Sequence, residues 1–409
     1  MSIIRPFRAV RPAVEKAKHV SCVPYDVAHA GEVRDFIAAN PETFLRVTRA
    51  EAEFNGDSRP SDAVVLERAR ENLKDFFDRN IFITDDEPAL YIYRLSTDTH
   101  TQTGIVGCLA IDDYESGVIK KHERTRPDKV QDRTDHMLAV RAQTGLILIA
   151  FRQTDRTAEL IAEATTATPL YDFPTPGNVR QTVWKIDETS ELVEAFSEVG
   201  SLYVADGHHR LESASLARRE LREANPSHTG KEEYNFVLAG IFPAEELEIL
   251  AYNRVVHDLN GLPAEEFLER VRENFIVTEE DSDGIPENPG EMRMYLDGKW
   301  YTLRFAINFV RAPDPIERLE VSILQNYILG PVLGITDPTT DERIEFIGGI
   351  RGTDELKRYV DEGKAVVAFS LFPTSMHDLL AVSDEGEIMP PKSTWFEPKL
   401  KDGLFIHLI

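Results

Sequence analysis

The stretch SLYVADGHHRLESASLARRE, Ser201–Glu220, sets the reading of this chain. Small and apolar residues run into Asp206-Gly207-His208-His209-Arg210, and a helical pattern with Leu211, Ala214 and Leu216 follows at once. The order predicts strand, turn and helix in immediate succession. At a helix start the first N–H groups lack intrahelical partners and the macrodipole is positive, so such a junction is a natural anion site. Gly207 lets the backbone approach closely, Arg210 offers a planar fork of donors suited to phosphate, and His208 and His209 can donate hydrogen bonds or move protons. A plain structural role suits the same residues: Asp206 caps the helix, Arg210 pairs with a surface acid, and the histidines satisfy local backbone. A metal reading takes His208 and Glu212, four apart on one helical face, with Asp206 nearby; a closed zinc site needs a fourth ligand.

Outward from this junction, strands alternate with helices. LILIAF, QTVWKI and SLYVAD read as strands, and TAELIAEATTA and SELVEAFSEV as helices, which argues an α+β, mixed α/β, fold. Further strands are expected at ALYIYRL, YNFVLAGIF and EILAYNRVV, a hairpin at EMRMYLDG and KWYTLRFA, and a helix over IERLEVSILQNYILGPVLG. Breaks near residues 100 and 260 would divide the chain into portions 1–100, 101–260 and 261–409.

Composition narrows the function classes. The 409 residues carry 46 Lys and Arg against 71 Asp and Glu, a formal net charge of -25, which repels a phosphate backbone and argues against nucleic acid as partner. Cys22 and Cys108 stand in separate segments with no CxxC spacing, so neither a disulfide framework nor a cysteine zinc site is expected and a reducing cytoplasm fits. No apolar run reaches the roughly 18 residues of a membrane span, and the first residues show no secretory h-region. No P-loop, paired GxGxxG, GxSxG or HExxH is present.

Three more stretches carry chemistry. VIKKHERTRPDKVQDR holds His122, Glu123, Arg124, Thr125, Arg126 and Arg133 just beyond a strand. A carboxylate beside several cations stays ionised and can accept a hydroxyl proton while the cations hold phosphate oxygens, although a solvated loop of ion pairs has the same composition. CVPYDVAHAGE places Asp26 and His29 after a Pro-Tyr turn, with Asp26 expected to cap a helix from about Ala28. GEIMPPKSTWFEPKL sets Lys392, Ser393 and Thr394 between prolines and an aromatic pair, where they either shape a rigid loop or meet an anion.

Taken in order, VPYDV, GVIKKHERT, LYVADGHHRLESA and MPPKSTWFEPKL resemble the domain of unknown function 1015 family over nearly the whole chain. That resemblance implies a ParB/sulfiredoxin-like nucleotide-binding core over 101–260 with additional N- and C-terminal α/β portions, related to free serine kinases. It further implies phosphoryl transfer from ATP or ADP, with magnesium, to the hydroxyl of free L-serine or a similar metabolite. Glu123, paired with His122, would accept the hydroxyl proton, and Asp206 through Arg210 would hold the phosphates. Arg124, Thr125, Arg133, Lys392, Ser393 and Thr394 would be accessory, and the metal ligands stay open. The chain departs from the family pattern at Lys121 and Val23, where proline is usual. The alternative that the resemblance leaves is a non-catalytic, nucleotide-binding ParB-like regulatory protein.

Overall fold

The strand read from SLYVAD sits between two partners in an eight-stranded mixed sheet. The computed structural model describes residues 4–54, 61–305 and 314–409. In chain order the strands are β1 (Leu90–Ser96), β2 (Thr101–Ala110), β3 (Ile119–Lys120), β4 (Ile147–Phe151), β5 (Tyr171–Thr175), β6 (Val179–Ile186), β7 (Leu202–Asp206) and β8 (Phe236–Pro243). Their spatial order is β3-β7-β4-β8-β2-β1-β6-β5. β7 runs parallel to β3 and antiparallel to β4, and β4 runs parallel to β8.

Burial explains why the strand sequences show no alternation. All of β4 is buried, as is β7 up to Ala205, so both faces of each strand must be apolar. Ile147, Ile149 and Phe151 of β4, with Leu202 and Val204 of β7, share a core with Leu192 and Phe196 of one helix and Leu211, Ala214 and Ala217 of another. A second core gathers Val33, Phe44, Leu45, Leu73 and Phe76 with Val10, Phe82 and Ile406. Three helices matter below: α1 (Asp62–Asp78), α2 (Pro127–Val140), whose proline occupies its first turn, and α3 (His208–Glu223), which leaves β7 through Gly207 alone.

The chain forms two compact units. The first comprises residues 1–121, 125–247 and 398–409, and the second 122–124 and 248–397. A break at residue 100 does not separate units, because β1 and β2 on its two sides are hydrogen-bonded neighbours. The expected break near 260 stands about a dozen residues beyond the passage at 247, and the return at 398 left no mark in composition.

In the second unit a six-stranded antiparallel sheet is built from β9 (Tyr252–Val256), β10 (Phe275–Glu280), β11 (Glu291–Leu296), β12 (Lys299–Phe305), β13 (Ile344–Gly348) and β14 (Val367–Leu371), in the order β10-β12-β11-β14-β9-β13. The expected hairpin is β11 and β12, and its Asp297-Gly298 turn has φ of 49° and 77°, the pair of positive angles that a two-residue hairpin turn needs. Ala306, at the end of that expected strand, lies outside the described residues, as do Met1–Ile3. EILAYNRVV divides: Glu248–Leu250 pairs with Trp395–Glu397, while β9 joins the sheet. The long helix expected from IERLEV onward is α-helical over Glu320–Leu324 and widens to π geometry over Gln325–Leu329. Among the described residues no helix is long and apolar enough to cross a membrane.

One buried acid makes this unit pH-sensitive. Burial pushes the Glu320 carboxyl up to about 7, although it accepts the Gly290 N–H at 2.7 Å. The folded value exceeds the ordinary 4.5, so stability falls as pH rises from about 4.5 through 7. Glu320→Gln keeps the acceptor without the charge and is expected to stabilise the protein at pH 8 by on the order of 2 kcal/mol and to leave it near neutral at pH 4, measured by urea unfolding.

Candidate functional site

Gly207 is where strand becomes helix. Its φ of +89° belongs to the left-handed region, which calls for glycine, and a Cβ there would sit a tight 3.3 Å from Ile147 Cα and Cγ2. Asp206 Oδ1 accepts the Gly207 N–H at 2.9 Å, and Asp206 Oδ2 lies 2.6 Å from Lys399 Nζ. Burial works to raise this carboxyl, but the Lys399 ammonium and the Gly207 N–H outweigh it and hold it down at about 2. Asp206 is therefore an anion at neutral pH.

At the other end of the turn, Arg210 Nη2 donates to Asp402 Oδ2 at 2.7 Å, with only 3% of the Asp402 side chain exposed. Burial works to lower the Arg210 guanidinium, but Asp402 outweighs it and holds the group above its ordinary value. Burial in turn pushes the Asp402 carboxyl up. Gly145 makes the room, since a Cβ at that position would overlap both Arg210 Nη1 and Asp402 Oδ1. The guanidiniums of Arg210 and Arg133 stand over the Tyr25 ring at 5.0 and 4.3 Å from its centroid, which is how VPYDV meets DGHHR. Burial pushes the Tyr25 hydroxyl up to about 12.

A cavity of about 30 Å³, room for one or two waters, opens here between Tyr25, Arg133, His136, Thr144, Gly145 and Arg210. Burial and the nearby Arg133 charge pull His136 down to about 3, so it is neutral, and its Nε2 lies 2.9 Å from the Val47 carbonyl. His208 is buried at 5% exposure. His209 Nε2 accepts the Arg126 N–H at 3.0 Å, which puts its proton on Nδ1 and ties the loop ahead of α2 to the first turn of α3. Glu212 accepts a hydrogen bond from the Tyr114 hydroxyl. The helix expected from about Ala28 begins at Ala30 instead, with His29 as its N-cap residue and Glu32 accepting the His29 N–H at 2.8 Å.

His122, Glu123 and Arg124 count with the second unit, although Lys121 and Thr125 on either side belong to the first. His122 is buried, Glu123 half-buried and Arg124 exposed. The His122 carbonyl accepts the Met389 N–H at 2.8 Å, and Thr394 Oγ1 lies 3.5 Å from His122 Nε2. The motifs HE and KST, far apart in sequence, thus meet. Lys121 sends its ammonium over the Tyr114 ring, 5.5 Å from the centroid.

The KST loop is held from inside. Ser393 Oγ donates to the Pro390 carbonyl at 2.6 Å and Thr374 Oγ1 donates to the Ser393 carbonyl at 3.0 Å, so the Ser393 hydroxyl serves the loop itself. Arg254, 3% exposed, donates to the carbonyls of Tyr252, Pro391 and Lys392. Burial pulls it down to about 9. Lys392 adopts φ +57° and carries its ammonium 5.4 Å from the Tyr252 ring centroid. The sequence reading missed Gly145, Arg254, Lys399 and Asp402 as contributors.

Gly145→Ala is expected to force the Arg210–Asp402 pair apart and to destabilise the first unit by about 1–3 kcal/mol, read by chemical denaturation. Gly31→Ala, with open space at the Cβ position, is the matched control and is expected to be near neutral or mildly stabilising.

Comparisons with known proteins agree with the motif reading at the level of family. Among solved structures, a free serine kinase variant in complex with AMP is similar at 14% identity and TM-score 0.38, over 73% of this chain and 92% of that one. SbnI with a C-terminal truncation from Staphylococcus aureus is similar at 16% identity and TM-score 0.41, over 74% and 87%. A conserved hypothetical protein from Pyrococcus furiosus is similar at 13% and 0.36, over 74% and 95%. No curated protein matches. The family described as a protein of unknown function, DUF1015, matches residues 4–322, and the chain belongs to it.

Proposed function

We propose that this protein is a small-molecule kinase that transfers a phosphoryl group from ATP or ADP to the hydroxyl of free L-serine or a similar metabolite. The observation that carries the reading is the β7–α3 turn. Gly207 begins the helix with no side chain over its start, and Arg210 is paired with the buried carboxylate of Asp402. In the reaction the substrate hydroxyl oxygen bonds to the terminal phosphorus of the nucleotide, and the bond from that phosphorus to the bridging oxygen breaks. The hydroxyl proton passes to Glu123. The products are O-phosphoserine and a nucleotide shorter by one phosphate. Such transfer rests on positioning and charge stabilisation more than on covalent chemistry, which suits a site made of backbone N–H groups and guanidinium.

Magnesium, which accompanies nucleotide phosphates, takes oxygen ligands; both Asp206 oxygens are engaged, Oδ1 by the Gly207 N–H and Oδ2 by Lys399, so Asp206 orients the turn rather than holding the metal. His209, fixed through Nε2 to the Arg126 backbone, keeps the segment from Thr125 into α2 against the start of α3. Arg133 adds charge beside Arg210 over the shared Tyr25 ring.

Phosphorus NMR with magnesium and ATP, then ADP, each with and without L-serine, tests the reading. A serine-dependent phosphomonoester resonance is the expected result; nucleotide left intact, or hydrolysed equally without serine, overturns serine as the acceptor. Glu123→Gln is expected to slow turnover by about 100-fold or more while nucleotide affinity changes less than about threefold. Unchanged turnover would remove Glu123 as the base, and nucleotide binding without turnover in the parent protein would favour a regulatory protein.

A further inference from the structure

Both ends of the DGHHR turn are held by one short stretch of the first unit. Lys399 Nζ meets Asp206 at 2.6 Å, and Asp402, three residues on, meets Arg210 at 2.7 Å. The stretch is itself fastened on both sides. The Cys22 and Asp402 backbones exchange N–H···O bonds at 3.1 and 3.0 Å, the Pro398 carbonyl accepts from Gln102 at 3.2 Å, and the Lys401 N–H donates to Tyr93 at 3.4 Å.

The chemistry of the two contacts differs. An anionic ligand at the helix start would be repelled by the ionised Asp206, and the Lys399 ammonium cancels that charge where it stands. Arg210 has a flexible stem, and an isolated buried guanidinium has no reason to hold one direction; the Asp402 carboxylate, the Tyr25 ring and the space left by Gly145 define one. We propose that Lys399 and Asp402 are positioning residues of the phosphate-binding turn. Lys399 screens Asp206 so that phosphate can approach, and Asp402 aims the Arg210 guanidinium. The inference rests on the phosphate-binding reading of the turn.

The test measures MgADP affinity by calorimetry on the whole chain carrying Lys399→Met, Lys399→Arg, Asp402→Asn or Glu233→Gln. The last variant loosens the same stretch elsewhere, since Glu233 accepts from His407 Nε2 at 2.9 Å. Lys399→Met and Asp402→Asn are each expected to weaken binding about tenfold or more, with Lys399→Arg restoring it to within about threefold. Glu233→Gln is expected to lower the melting temperature and leave affinity unchanged. Equal loss of affinity in all variants, or none in Lys399→Met and Asp402→Asn, overturns the proposal. Hydrogen exchange in the peptide spanning 206–212 gives a readout that needs no ligand. Faster exchange in Lys399→Met and Asp402→Asn but not in Glu233→Gln supports positioning, and unchanged exchange overturns it. A parent protein that binds no MgADP sinks the nucleotide reading, and the exchange data then decide the positioning role alone. If Asp402→Asn does not fold, Asp402→Glu, which keeps the charge and shifts the carboxylate, takes its place.

Discussion

The buried pair of Arg210 and Asp402 is the constraint around which the first unit is arranged. Two charges out of water are tolerated only when they meet in good geometry, and each nearby feature serves that meeting. Gly145 vacates the volume, Tyr25 offers its ring face to the guanidinium, and Cys22 grips the backbone of Asp402. The turn at Gly207 then begins α3 with its first N–H groups beside a cation of fixed direction. Lys399 and Asp206 form a second pair at the opposite end, so the turn is electrically balanced at both ends.

Local patterns disclosed the local structure. The apolar runs at 147–151 and 202–206, the helical spacing after Gly207 and the Asp-Gly hairpin at 297–298 each state their geometry within a few residues. What escaped reading was set by partners distant in sequence. Nothing near Asp402 announces a mate at Arg210, and nothing in TDTH, between β1 and β2, tells a hairpin loop from a linker. In the turn itself the glycine and arginine were legible from residue type, whereas the Nε2 of His209 acting as acceptor for Arg126 depends on where another loop arrives.

The PPKST loop shows how a packed turn sets the use of its own hydroxyl. Prolines at 390 and 391 have no N–H to give, yet their carbonyls still need donors once the loop is packed. Arg254, at Pro391, and the Ser393 hydroxyl, at Pro390, supply them, so the serine takes the loop-shaping one of the two roles that its sequence allowed. Thr394 is the member of the motif that reaches the His122 ring.

The first unit is interrupted, and that has a consequence for how the protein is made. During synthesis residues 1–247 leave the ribosome before any of 398–409 exist, with the whole of 248–397 still to come. Until the closing dozen residues arrive, the strand–turn–helix junction can form but Arg210 has no Asp402 to meet, and the contacts of Cys22 and Val10 with that segment stay unmade. Closure of the Arg210–Asp402 pair therefore reports on translation having run through to residue 402, and a chain that stops short carries the turn without its clamp.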